Sequence, residues 1–120
     1  MADNNIDSIL LSMKMMLGME PEYTPFDTDI IIHINSCLSK LNQIGVGPSE
    51  GFKITDETQT WEDFIGTNPK LNMVKTWMYV SLRVLFDPPQ NSFTLQALQE
   101  QAEEYLTRLS YEVDAGTPVD

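Results

Sequence analysis

Asp29, His33 and Cys37 recur at four-residue intervals within a segment whose apolar positions keep helical spacing. All three therefore fall along one helix face. A carboxylate, an imidazole and a thiol in a row could form a proton relay, an activated nucleophile or part of a metal site. On a straight helix, however, the Asp29 carboxylate and the Cys37 thiol stand more than one turn apart, and no further ligand lies nearby. Nucleophilic catalysis also needs an oxyanion site, which no motif supplies. The row reads as structural: Asp29 near a helix start, His33 at a polar edge, Cys37 as a small hydrophobe.

Other candidates fare no better. Asp56-Glu57, Glu62-Asp63 and Glu103-Glu104 pair carboxylates, but neighbours on a helix point apart and neighbours in loops are solvated. The stretch from Gly45 to Gly51 holds three glycines and a proline, yet no Lys-Ser/Thr pair follows and no helix begins directly after it. A phosphate-binding loop needs both. Lys75 and Arg83 alternate with Trp77 and Tyr79, but those aromatics belong to an apolar helix rather than to a platform for single strands. One Cys and one His leave no disulfide and no zinc spacing. The expectation is a protein that is not an enzyme and uses no cofactor or metal.

With 120 residues the chain is one domain that can bury a modest core. An apolar share of 42% against 21% charged residues is that of a globular chain. Lys75 and Arg83 interrupt the best apolar run, which is too short to span a bilayer. Asp3 and Asp7 stand where a signal peptide would be basic, so the expected compartment is the cytosol. Seven basic against eighteen acidic residues give a net charge of −11, the wrong sign for gripping phosphates. Such a chain is kept soluble by its charge, or lies near nucleic acid without holding it.

The elements follow from periodicity and punctuation. A first helix is expected from a cap at Asp3 or Asn4 to about Leu17, with Gly18 as its stop and Met13, Met15, Met16 and Met19 as core filler. Two prolines break the connection from Met19 to Phe26. A second helix follows a cap at Asp27 or Thr28 and ends at Gly45, its stripe running from Ile30 to Ile44. The glycine-rich loop then leads to Phe52-Lys53-Ile54, a very short strand or extended arm. Thr60 and Asp63 resemble a capping pair for a short helix, Trp61 to Ile65. Asn68-Pro69 opens a third long helix that Pro88 and Pro89 stop at Asp87. It is apolar almost all round, with Leu71, Val74, Met78, Leu82 and Leu85 on one face, so other elements must cover several of its sides. A last helix runs from a cap at Asn91 or Ser92 to about Val113. The acidic tail from Asp114 to Asp120 is expected to be mobile in the isolated chain.

The expected fold is thus all-α: four main helices plus one short helix around a central hydrophobic helix, with a long loop and extended arm between the second and third. The domain is expected to span 1–113 and the flexible tail 114–120.

Several strings, in this order, carry a family likeness: Phe26-Asp-Thr-Asp-Ile30, His33-Ile-Asn-Ser36, Leu41-Asn-Gln-Ile-Gly-Val-Gly-Pro48, Gly51-Phe-Lys-Ile54, Trp61-Glu-Asp-Phe64, Val74-Lys-Thr-Trp77 and Arg83-Val-Leu-Phe-Asp-Pro-Pro89. Together they resemble the head–tail connector (adaptor, or head completion) family of tailed bacteriophages and prophages, over roughly Ile9 to Leu109. The resemblance implies a small all-α virion protein without catalytic residues. It implies a ring, generally twelvefold, under the portal of the DNA-filled capsid in the virion neck. That ring joins the portal protein to a tail-side neck or completion protein and leaves a channel through which DNA passes without specific binding. Assembly would take place in the host cytoplasm, with no membrane involved.

On that footing Phe52, Ile54, Trp61 and Phe64 are candidate contacts to a neighbouring subunit or the portal, although Trp61 and Phe64, three apart on one face, equally suit an anchor in the chain's own core. Phe86, Asp87, Pro88 and Pro89 form a candidate elbow that orients the last helix. The acidic tail is expected to order on the portal. The alternative from another class is a small acidic cytosolic adaptor or a DNA-mimic inhibitor. A mimic needs carboxylates spaced like phosphates on one face, whereas here they scatter over loops and helix ends.

Overall fold

The computed structural model describes residues 7–66 and 71–116, with side chains as far as Tyr111. Five helices follow in order among these residues: α1 (Ile9–Met16), α2 (Asp27–Gln43), α3 (Trp61–Ile65), α4 (Leu71–Phe86) and α5 (Ser92–Gly116). They form the expected all-α bundle. The candidate caps Asp3 and Asn4, and the Asn68-Pro69 opening of α4, lie outside the described residues.

Helix α1 starts at a cap the sequence reading passed over. Ser8 has extended backbone and its hydroxyl accepts from the Leu11 amide at 3.2 Å. Ile9, Leu10 and Met13 are buried, but Met15 and Met16 are exposed, so only part of the methionine cluster fills core. The helix ends as Gly18 foretells. At φ +86° its amide donates to Met15 O, and the Met19 amide reaches back to Lys14 O at 2.8 Å. These two bonds are the Schellman arrangement, which satisfies carbonyls that a helix end otherwise leaves open. Gly45 ends α2 in the same way, with Val46 N–H donating to Leu41 O and the Val46 side chain buried.

The connection between α1 and α2 is held by a charge. Lys14 is fully buried, and its ammonium donates to Pro21 O and pairs with Asp27 Oδ1, both at 2.8 Å. A buried cation without partners would be costly, so these two contacts make the site tolerable and tie the connection down. Asp27 is thereby spent on Lys14. It does not cap α2, whose cap position is Phe26 with no side-chain hydrogen bond.

Helix α4 packs against both α5 and α2 and buries Val74, Trp77, Met78, Val80 and Leu82. Each such side chain contributes about 1.5–3 kcal/mol on burial. Leu85, expected on the buried face, is 54% exposed, because the bundle opens between α2 and α5 at that end. Helix α5 lays Leu95, Leu98, Ala102 and Leu106 half-buried along α4 and buries Leu109 completely. It continues to Gly116, past the expected end near Val113. The remainder of the expected tail, 117–120, lies outside the described residues.

Candidate functional site

The long connection between α2 and α3 is built into the core at three points. Asn35, on α2, makes both hydrogen bonds to Ile54: its Oδ1 accepts from the Ile54 amide at 2.7 Å and its Nδ2 donates to Ile54 O at 3.0 Å. One side-chain amide thus does the work of a β-neighbour. The segment Phe52–Ile54 is accordingly an extended arm, not a strand, and Ile54 is buried.

Gly47 provides the second point. Its φ is +90°, and a Cβ there would stand 2.4 Å from the Phe64 ring. Glycine is required by both backbone and space. The third point is the capping box foreseen from Thr60 and Asp63. Asp63 N–H donates to Thr60 Oγ1 at 3.0 Å, and Thr60 N–H donates to Asp63 Oδ2 at 3.1 Å. Beside it Ile9 N–H donates to Gln59 O, so α3 is also fastened to the start of α1. In the turn before α3 the Asp56 carboxyl is held below its usual range, first by the Thr58 hydroxyl and then by the Thr58 amide.

These fastenings place the four candidate contact residues. Trp61 is wholly buried, and its indole Nε1–H donates to Ser12 Oγ of α1 at 2.8 Å. Lys75 caps the ring from α4, its ammonium 5.4 Å from the ring centroid. Phe64 is buried with Phe52 against it at 5.3 Å between centroids. Ile54, Trp61 and Phe64 are therefore buried within this chain, and of the two places open to the Trp61–Phe64 turn it takes the core. An amphipathic turn with two aromatics on one side looks the same whether it closes a core or faces a partner. Only Phe52 of the four keeps accessible area.

The elbow is an ordered stop. Asp87 N–H donates to Arg83 O at 2.8 Å, the last bond of the helical ladder, and Arg83 Nε–H donates back to Asp87 O at 3.4 Å. Pro88 and Pro89 then carry the chain to Asn91, whose Oδ1 accepts from the Phe93 and Thr94 amides and so caps α5. Asp87 and Pro88 are exposed, while Phe86 is half-buried with its ring edge-on to His33 at 5.2 Å.

The Asp29–His33–Cys37 row is not assembled as a relay. Asp29 is exposed and His33 packs on Phe86. Cys37 is buried, and loss of solvent pushes its thiol up to about 12, the opposite of an activated nucleophile. His33 and Cys37 do share an open groove of about 540 Å³ between α2, α4 and α5. Its lining mixes the charged Lys40 and Glu103 and the polar Ser36, Ser81 and Gln99 with the apolar Trp77, Val84, Leu85 and Ala102. Glu103 is the one carboxylate in that lining and the Cys37 thiol stays protonated, so the groove assembles neither a carboxylate pair nor an activated nucleophile. Among the described residues no group of three or more His, Cys, Asp or Glu could hold a metal ion, and no helix is long and apolar enough to cross a membrane.

What the molecule offers is a helical bundle with the long α2–α3 connection fastened to it. Residues 9–116 match the sequence model of a family described as phage connector protein. No curated protein and no solved structure matches the chain. The match takes in all five helices, the pinned arm and the elbow, and the chain belongs to the phage connector family, a structural component of the virion that works with other head and tail proteins.

Proposed function

We propose that the chain forms a ring beneath the portal protein in the virion neck, closes the DNA-filled head and passes the connection on to a tail-side completion protein. The observation that carries this reading is the family match over 9–116, which coincides with the whole folded bundle. The net charge of −11 supports it: an acidic subunit repeated around a channel repels the DNA backbone, which then slides instead of sticking. A ring whose lumen is lined mainly by Lys and Arg would rule out that charge placement.

Within this reading Phe52 is the contact residue of the arm, since it alone of the candidate four has surface to give. The elbow sets the direction of α5 and so the presentation of its C-terminal half to the next ring of the neck. Pro88 and Pro89 replaced together by Ala are expected to leave a folded helical protein that assembles poorly on the portal. Unimpaired assembly would reduce the elbow to a turn.

The decisive experiment mixes purified chain with purified portal and images the product by cryo-electron microscopy. A ring of this chain on the portal, matched to the portal's symmetry, is the expected result. A chain that leaves the portal bare, together with infectious particles when its gene is deleted, would refute the proposal.

A further inference from the structure

The face of α5 turned away from the core is not that of an ordinary solvated helix. Its core-side residues are Leu95, Leu98, Ala102, Leu106 and Leu109. At 100° per residue Phe93, Glu100, Glu104 and Tyr111 line up on the opposite side, Phe93 and Tyr111 five full turns and about 27 Å apart. Phe93 is 83% exposed and Tyr111 70% exposed. Between them Glu104 is paired with Arg108 of the same helix at 3.0 Å and Glu100 has no basic partner among the described residues, and an aromatic left this bare at each end is a pattern that a partner, rather than water, accounts for.

The same molecule carries a recess of matching character. The groove between α2, α4 and α5 has Leu85 and His33 toward one end, where His33 meets Phe86, and Lys40 seven residues further along α2. On the α5 face the order is Phe93 and then, also seven residues on, Glu100. Seven helical residues span about 10.5 Å in both cases. Apolar therefore meets apolar and acid meets base in one register, with the incoming α5 parallel to α2. Glu103 on the far wall repels an acidic helix and steers it toward Lys40. A chain cannot fill its own groove, because its α5 already forms a wall of it.

We infer that the outer face of α5 of one copy seats in the α2–α4–α5 groove of a second copy, with Phe93 against Leu85 and Glu100 against Lys40. This rests on the ring reading above and names the surface that would build the ring. Two different patches meet, so the contact is head-to-tail, and repetition closes into a ring where the rotation allows. Between copies that each carry −11, the Glu100–Lys40 pair adds an attraction that favours this register.

The test uses Phe93→Cys and Leu85→Cys, both at exposed positions that leave the core intact. Cys37 lines the same groove, so both variants are built on Cys37→Ala, which removes the chain's one native thiol before a short bismaleimide cross-linker is added. Mixed at high concentration, the two variants are expected to cross-link to each other, while neither cross-links alone. Lys40→Glu in both variants should lower the yield about tenfold, and adding Glu100→Lys should restore it. Cross-links in Phe93→Cys alone, or none in the mixture, would overturn the inference. Rings on the portal without the mixed cross-link would sink this interface and leave the connector reading standing. The mixed cross-link with a bare portal would do the reverse.

Discussion

Replacing Asn35 by Ala tests whether one side chain holds the arm. Asn35 supplies a donor and an acceptor to the backbone of Ile54 at 3.0 and 2.7 Å, and Ile54 is 1% exposed. With Ala, the Ile54 amide and carbonyl lose their only side-chain partner. Each buried, unsatisfied backbone group costs about 1–3 kcal/mol. Asn35 itself is only partly buried, so water can approach from that side. We therefore expect a loss of about 2–4 kcal/mol, a large share of the roughly 5–15 kcal/mol that stabilises a domain. In urea this moves the unfolding midpoint down by about 1–2 M. Hydrogen exchange at the Ile54 amide should speed up before the α4 amides do, because the arm is released first. Asn35→Asp keeps an acceptor for the amide but offers no donor and sets a charge against Ile54 O, so it should be no better. A midpoint within about 0.3 M of the parent, with Ile54 still protected, would show that packing alone holds the arm.

Trp61→Ala should cost about 3–5 kcal/mol and broaden the near-ultraviolet and NMR spectra, since the ring is fully buried and bonded to Ser12; a folded variant that merely fails to assemble would return Trp61 to the surface role. Gly47→Ala combines a left-handed backbone at φ +90° with a 2.4 Å approach to Phe64, so a loss of about 2–4 kcal/mol is expected by thermal or urea unfolding. No measurable loss would mean the loop sits farther from Phe64. The Cys37 thiol, ordinarily near 9.0, is pushed up to about 12 by burial. The native state thus keeps a proton that the unfolded chain gives up. This contribution is fully present below pH 9 and is lost as pH climbs toward 12, at about 1.4 kcal/mol per pH unit. The difference in alkaline stability between parent and Cys37→Ala isolates it, and equal slopes would place the thiol in water.

Much of the secondary structure is local chemistry and could be read from order alone. Gly18 and Gly45 stop helices because only their backbones turn left-handed cheaply, and both do so here. Thr60 and Asp63 form their capping box, Asn91 caps α5, and Pro88-Pro89 ends α4, each through groups within four residues of one another. The family, too, was legible, from short strings in order along the chain, and its model matches residues 9–116.

What lay beyond reach were pairings between distant residues. Trp61 and Ser12 are 49 positions apart, and Asn35 and Ile54 are 19 apart. Nothing local marks Lys14 as the buried cation, since its partners Pro21 and Asp27 come from another turn of the chain. Periodicity sorts residues onto faces but does not say which face another helix will cover. Leu85, Trp61 and Phe64 have the same apolar character in sequence. The bundle covers the two aromatics and leaves Leu85 open, because α2 and α5 both dock on α4 and part from each other at its end. Spacing and composition give the helices and their ends; burial arises when helices far apart in sequence compete for the same surface of α4.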